Sequence, residues 1–374
     1  MRVGISCYPT FGGSGAVATA IGYELAARGH EAHFISYAKP AKLNTNLKNI
    51  FFHEVTTTTY PLFKYPPYPL DLAAKMLAME NKIDIFHMHY AIPHALSAFL
   101  YKSISPHPRP FIVTLHGTDI TLVRDNPHYA RIVKLGLKEA AAVTSVSHYL
   151  KNVTHETFGR ELEIQVIYNF VQQNLLCFEE KTVCHECLEK FNIPRGVPLL
   201  VHISNFRPVK RVFDVIRTFD LILKKMDARL MMAGEGPDLE HARDLARDLG
   251  ILGKILFLGN LTCLLPVLSL NNTVFLFPSE EESFGLAALE ALYQGIPVIA
   301  SQSGGIPEVV VHGENGYLIK IGDIQSMADY SVRLLSQPDL YQSFSKQGRL
   351  RATRFFDKNI SMQQYLDLYE KFLS

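Results

Sequence analysis

A chain of 374 residues exceeds the usual size of one hydrophobic core, so two domains of ordinary size are expected. With 48% hydrophobic and 20% charged residues the composition is globular, and 37 Lys and Arg against 36 Asp and Glu leave a net charge of +1, which gives no bulk attraction to nucleic acid. No apolar run approaches the ~20 residues that span a bilayer, and Arg2-Val3-Gly4-Ile5-Ser6 reads directly as a strand without an export signal, so a cytoplasmic protein with no integral membrane association is expected.

Strand-like runs at Arg2–Cys7, His33–Ser36, Ile50–Val55, Ile83–His89, Phe111–Leu115, Ala142–Val146 and Ile164–Tyr168 alternate with helix-period segments at Ala16–Ala27, Leu70–Ala78, Pro93–Lys102 and Tyr129–Glu139. That alternation predicts a parallel sheet covered on both faces. The pattern repeats through Leu199–Ile203, Arg229–Ala233, Ile255–Leu258, Val274–Phe277 and Pro297–Ala300. The fold class is therefore α/β, with two doubly wound Rossmann-like domains facing across a cleft and ligands outside the carboxyl ends of the strands. The expected divisions are 1–171, a polar linker over 172–196, and 197–356, with a final helix, about 357–374, packing back onto the first domain. The five cysteines, Cys7, Cys177, Cys184, Cys187 and Cys263, are odd and scattered, which argues against a disulfide framework. Cys184-His185-Glu186-Cys187 has the spacing of half a zinc site, but its second pair is missing, so reduced thiols on the linker are the reading. The segment Tyr60 to Pro69 holds prolines and aromatics that could wall a pocket or fasten a surface loop.

Chemistry is suggested at several strand ends. Gly12-Gly13-Ser14-Gly15 opens the first helix, where glycines and a helix N-terminus suit a phosphate; any tight strand-to-helix turn also uses glycine. The spacing is not Gly-x-Gly-x-x-Gly and there is no Walker lysine, which disfavours a simple NAD enzyme. Arg207, Lys210 and Arg211 follow a buried strand, where cations would neutralise a diphosphate or merely coat a solvated turn. His116 ends another strand and suits sugar hydroxyls as a neutral imidazole. His87, His89 and His94 invite a metal reading, but His87 and His89 are expected on opposite strand faces and no carboxylate motif matches, so no metal is assigned. Gly304 and Gly305 are expected to admit backbone contact with a ligand. Glu282 and Glu290, eight residues apart, would stand roughly 12 Å apart along a helix carrying Ser283 and Gly285 in its first turn. That spacing fits the two sugars of a folded nucleotide-sugar. Dipole complementarity could explain Glu280, Glu281 and Glu282, but not a buried Glu290 in the run Leu286 to Leu292.

Together these residues resemble the retaining glycosyltransferases of the GT-B fold, whose Glu-x7-Glu motif matches Glu282 and Glu290. Cys7-Tyr8-Pro9, Pro61 to Tyr68, His89 to Ala95, His116 to Leu122 and Asn205 to Arg211 resemble in particular the N-acetylglucosaminyl L-malate synthases of bacillithiol biosynthesis. The resemblance implies transfer of GlcNAc from UDP-GlcNAc to the hydroxyl of L-malate, with retention, no metal and no cofactor. It implies that Arg207 and Lys210 hold the diphosphate beside Gly13, Ser14 and Gly15. Glu282 with the backbone of Ser283, Phe284, Gly285 and Leu286 would bind the GlcNAc, Glu290 the ribose, and His116 the transferred sugar near the reacting centre. Tyr90, Thr118, Ser14 and Arg124 are the acceptor candidates. Alternatives are another acceptor (inositol phosphate, a lipid or a polysaccharide) or a UDP-GlcNAc 2-epimerase, and a homodimer is left open. Cys177 to Cys187 and the apolar run Leu261 to Pro266 depart from the family pattern.

Overall fold

The computed structural model describes residues 1–10, 12–58, 62, 64–124, 126–171, 196–261 and 272–373. Cys177, Cys184, Cys187 and Cys263, almost all of the expected linker, and residues 262–266 of the apolar run lie outside them, as do Tyr60, Pro61 and Phe63. The chain divides into two units, one of Met1–Asn169 with Lys358–Ser374 and one of Phe170–Asp357.

The first unit contains β1 (Arg2–Ser6), β2 (Glu31–Ser36), β3 (Ile50–Glu54), β4 (Ile85–His89), β5 (Phe111–Leu115), β6 (Ala142–Ser145) and β7 (Ile164–Val166). They form one parallel sheet in the order β3-β2-β1-β4-β5-β6-β7. β4 and β5 are buried at every residue, as apolar runs between helical layers must be. Helices Ser14–Ala27, Tyr68–Met79, Leu96–Ile104, Pro127–Lys138 and His148–Phe158 fall between the strands. The third was expected from Pro93, but Ile92 keeps an extended φ of −126° and regular helix starts at Leu96.

The Lys358–Leu373 helix completes this unit. Tyr365 and Tyr369 are fully enclosed, Ser361 Oγ donates to the Tyr168 carbonyl at 2.8 Å, and Lys358 pairs with Glu24 at 3.0 Å.

The second unit has β8 (Leu199–Ile203), β9 (Arg229–Ala233), β10 (Ile255–Phe257), β11 (Thr273–Phe277), β12 (Val298–Ser301) and β13 (Gly316–Ile319), parallel in the order β10-β9-β8-β11-β12-β13. β13 was not anticipated, because it begins on a glycine. A Cβ on Gly316 would lie 2.2 Å from the Val298 carbonyl oxygen, so glycine is what lets this strand close on β12. Strand order reverses between β1 and β4 in one sheet and between β8 and β11 in the other. These reversals open crevices at the carboxyl edges, where doubly wound sheets bind ligands. Among the described residues no helix is long and apolar enough to cross a membrane.

Candidate functional site

In the second unit the turns leaving β8 and β11 meet beside the strand-order reversal. The first passes Arg207, makes a 3-10 turn over Pro208–Lys210 and enters the Val212–Leu223 helix at Arg211. Phe206 and Arg211 take φ of 34° and 52°, a left-handed backbone unfavourable for residues with a Cβ; the fully buried Phe206 ring anchors the turn. The Glu280 N–H donates to the Val209 carbonyl at 2.8 Å and ties the second turn to the first. Across this junction Lys210 Nζ donates to Glu282 Oε2 at 2.5 Å, with the two side chains only 14% and 19% exposed. Arg211 is engaged by Asp214 at 2.7 Å and by Glu280 at 3.8 Å. Arg207 is exposed and makes no ion pair among the described residues. The three cations thus differ: Arg211 is held by acids, Lys210 faces one carboxylate, and Arg207 is open to an anion.

Several expectations change here. The helix carrying Glu290 is Leu286–Tyr293, and Ser283 and Gly285 precede it, with Gly285 at φ 97°. The Glu282-to-Glu290 stretch is therefore half loop, and helical rise does not measure it. No acid lies in that helix's first turn, which removes dipole complementarity as the reason for Glu280 to Glu282. Glu290 is half-buried rather than buried, as are Ser283 and Leu286, whereas Phe284 is buried edge-on against Phe356 with ring centroids 5.5 Å apart. Phe284 can therefore offer a ligand its backbone but not its ring.

At the Gly304-Gly305 turn the glycines admit the backbone of the chain itself. A Cβ on Gly304 would stand 1.9 Å from the Glu282 carbonyl oxygen, and Gly305 N–H donates to that oxygen at 2.8 Å. This contact sets where Glu282 lies.

In the first unit Gly13, at φ 58°, precedes the Ser14–Ala27 helix, which has no side-chain cap and no acid in its first turn, so its leading N–H groups suit an anion. Ser14 and Gly15 are buried there. A Cβ on Gly15 would lie 2.7 Å from the carbonyls of Tyr8 and Thr10, so that glycine serves the turn. A cavity of about 220 Å³ is lined by Tyr8, Tyr68, Tyr129, Ile92, Pro93 and Leu96 among others, so one tyrosine of the aromatic segment walls a pocket, while Tyr65 is 73% exposed.

His87 and His89 were expected on opposite faces, but residues two apart on a strand share one, and their ring centroids are 4.2 Å apart. His87 is satisfied by Tyr369 Oη at 2.8 Å and Thr114 Oγ1 at 2.7 Å. His89 Nδ1 meets His116 Nε2 at 2.9 Å, and Tyr90 stacks on His116 with ring centroids 5.4 Å apart. Burial pushes His87, His94 and His116 down to about 3 and His89 well below its usual value, so these imidazoles are neutral near pH 7. Tyr90 and His116 are thus brought together. Half-buried Thr118 starts the Thr118–Arg124 helix, and exposed Arg124 stands at its other end.

Asp119 was passed over in reading His116-Gly117-Thr118-Asp119, although an Asp after such a turn commonly accepts from backbone N–H groups. It is buried. Its Oδ2 accepts from Ala91 N–H at 2.8 Å, and its Oδ1 from Gly117 at 2.8 Å and His116 at 3.2 Å. Burial raises its carboxyl to about 6 against the pull of those N–H groups. It ties the turn after β4, which holds Tyr90, to the turn after β5, which holds His116. Among the described residues no group of His, Cys, Asp and Glu is arranged to hold a metal ion.

Two doubly wound sheets, each with polar candidates where its strand order reverses, are the two domains expected of a GT-B fold. The chain matches the Glycosyltransferase Family 4 model over residues 11–174 and the Glycosyl transferases group 1 model over 186–351. It is 40% identical over 371 residues to the N-acetyl-alpha-D-glucosaminyl L-malate synthase of Bacillus anthracis, spanning 99% of this chain and 96% of that one. Among solved structures, Anabaena HepE in complex with UDP-glucose superposes with a TM-score of 0.83 at 20% identity, over 99% of this chain and 100% of the other. A glycosyltransferase from Rickettsia africae gives 0.80 at 20% identity, over 100% and 98%. The chain belongs to the family of the Bacillus anthracis synthase and is a glycosyltransferase.

Proposed function

We propose that this enzyme transfers N-acetylglucosamine from UDP-GlcNAc to the hydroxyl of L-malate with retention at the anomeric carbon, the first step of bacillithiol biosynthesis. The observation that carries the donor side is the Lys210–Glu282 pair beside open Arg207 at the β8/β11 reversal. A carboxylate for sugar hydroxyls and two cations for a diphosphate stand there together. The acceptor reading is supported by the 40% identical relative, whose name is that of a malate synthase.

In this reading Glu282 and the backbone from Ser283 to Leu286 hold the GlcNAc, Glu290 the ribose, and Arg207 and Lys210 the diphosphate. The bond from the anomeric carbon to the phosphate oxygen breaks on the face where the malate oxygen arrives. The departing oxygen takes the malate hydroxyl proton, so no separate base is required. Arg207 and Lys210 stabilise the negative charge that this bond cleavage leaves on UDP, in a reaction proposed to use no metal or cofactor. Positioned charge of this kind is usually the largest catalytic contribution, and loss of one donor costs about 10²–10³ in rate. Lys210→Ala should therefore lower kcat far more than it weakens acceptor binding, and a near-normal kcat would remove Lys210 from this role. Tyr90, Thr118, Ser14 and Arg124 remain the proposed acceptor contacts.

The test is UDP release from UDP-GlcNAc with L-malate, inositol phosphate, a lipid acceptor or none. Release with malate alone supports the proposal. Silence with malate defeats it, and conversion of UDP-GlcNAc with no acceptor would indicate an epimerase.

A further inference from the structure

The hydrogen bond between His89 Nδ1 and His116 Nε2, 2.9 Å long, joins two neutral rings. A neutral imidazole carries one N–H, so one ring donates and the other accepts. If His116 donated from Nε2, His89 would carry its own proton on Nε2. That atom is enclosed and has no partner among the described residues. A buried N–H without an acceptor forfeits its whole hydration, and such orphaned donors are rarer in folded proteins than orphaned lone pairs. If His89 donates from Nδ1, the enclosed Nε2 is only a bare lone pair.

His94 offers no acceptor at hydrogen-bond distance, since both of its nitrogens are likewise enclosed and without a partner among the described residues. Both nitrogens of His87, whose ring lies against His89, are taken by Tyr369 and Thr114. Nδ1 of His116 takes no partner among the described residues, yet it is not one of the enclosed unpartnered atoms. Tyr90, stacked within 19° of parallel to the His116 ring, covers one face and keeps its plane fixed.

We infer that His89 is a positioning residue: it donates from Nδ1 to His116 Nε2 and so fixes His116 as the Nδ1–H tautomer, presenting a hydrogen-bond donor to an oxygen of the transferred sugar. The sugar contact rests on the proposed function, with His116 in the role that the family resemblance implies; the tautomer does not. His89 would act on the reaction only through His116.

Long-range proton–nitrogen correlation spectra of the 15N-histidine-labelled full-length protein, without substrate and near neutral pH, read the tautomers directly. The expected spectrum has His116 protonated on Nδ1 and bare on Nε2, with His89 protonated on Nδ1. His116 protonated on Nε2 overturns the inference whatever the substrate proves to be. A failed acceptor panel would leave this spectrum unchanged, so the two ideas fail separately.

Substitution gives the second readout. His89→Asn places an amide donor near the Nδ1 position and should keep the His116 tautomer and most of kcat. His89→Asp offers only acceptors, should reverse the tautomer, and should lower kcat by about 10² with a smaller change in KM, as expected when a positioned donor is lost. If Asn and Asp lower kcat equally while both variants keep their fold, His89 is structural only.

Discussion

Lowering the pH from about 7.5 to about 5.5 should weaken the first unit through its enclosed histidines. His87 and His94 have no exposed surface, and burial lowers each from 6.5 to about 3. Between those values the unfolded chain binds a proton that the folded chain refuses. Stability is therefore intact above pH 6.5 and is lost as pH falls toward 3. One unit below 6.5 each ring costs about 1.4 kcal/mol, so the pair costs about 3 kcal/mol. Asp119 opposes them. Its carboxyl is raised from 3.8 to about 6, so the folded chain takes up that proton first and gains about 1 kcal/mol at the same pH.

The net loss is about 2 kcal/mol, a sizeable share of the 5–15 kcal/mol that holds a typical domain. His89 and His116, also lowered by burial, enlarge it, and His202 brings the same sign into the second unit. Urea unfolding followed by circular dichroism at both pH values, at fixed ionic strength, measures the difference. In His94→Leu the pH-dependent loss should shrink by about 1.4 kcal/mol. An unchanged or higher midpoint at the lower pH would refute the reasoning, as would a variant with the same pH dependence as the wild type.

Other outcomes follow from the packing. Gly304→Ala puts a Cβ where the Glu282 carbonyl oxygen stands, at a φ of 57°, so the Glu282 loop must move; kcat/KM should fall by about 10² while the fold persists, as steady-state kinetics with circular dichroism would show. Asp119→Asn keeps one acceptor oxygen but turns an NH2 toward backbone donors, and should destabilise the chain by about 2 kcal/mol in urea unfolding. The same variant should also lose the partial protection that Asp119 offers on acidification, steepening the pH dependence measured above.

Most of the sheet architecture could be read from the chain because parallel strands covered on both faces are short continuous apolar runs, and twelve of the thirteen strands among the described residues announce themselves so. β13 did not, since its leading glycine reads as turn although tight pairing on β12 requires it. The positions of Arg207, Lys210 and Glu282 were legible because strand ends could be located. Their pairing was not, because no local pattern tells a lysine which carboxylate it will meet 72 residues later. The Gly304-Gly305 turn was read as admitting a ligand's approach, and the close approach the structure shows there is that of the Glu282 backbone. Glycine marks close approach in a sequence but does not say of what. Asp119 was missed, and the His89 contact with His116 went unread, for a related reason: each acts on a neighbouring turn or ring rather than on solvent, and only the folded registers of β4 and β5 bring those groups together.

The return of the Lys358–Leu373 helix to the first unit has a consequence for how the chain is made. The first unit is discontinuous: its buried His87 gets the Tyr369 hydroxyl from a segment synthesised 282 residues later. The second unit, continuous from Phe170 to Asp357, can close on itself before the first is complete. A nascent chain therefore carries an unfinished N-terminal sheet through most of its synthesis, with the face for Tyr365 and Tyr369 bare. That interval is when chaperones would bind it, and a chain stopped at Asp357 should leave the first unit protease-sensitive while the second resists.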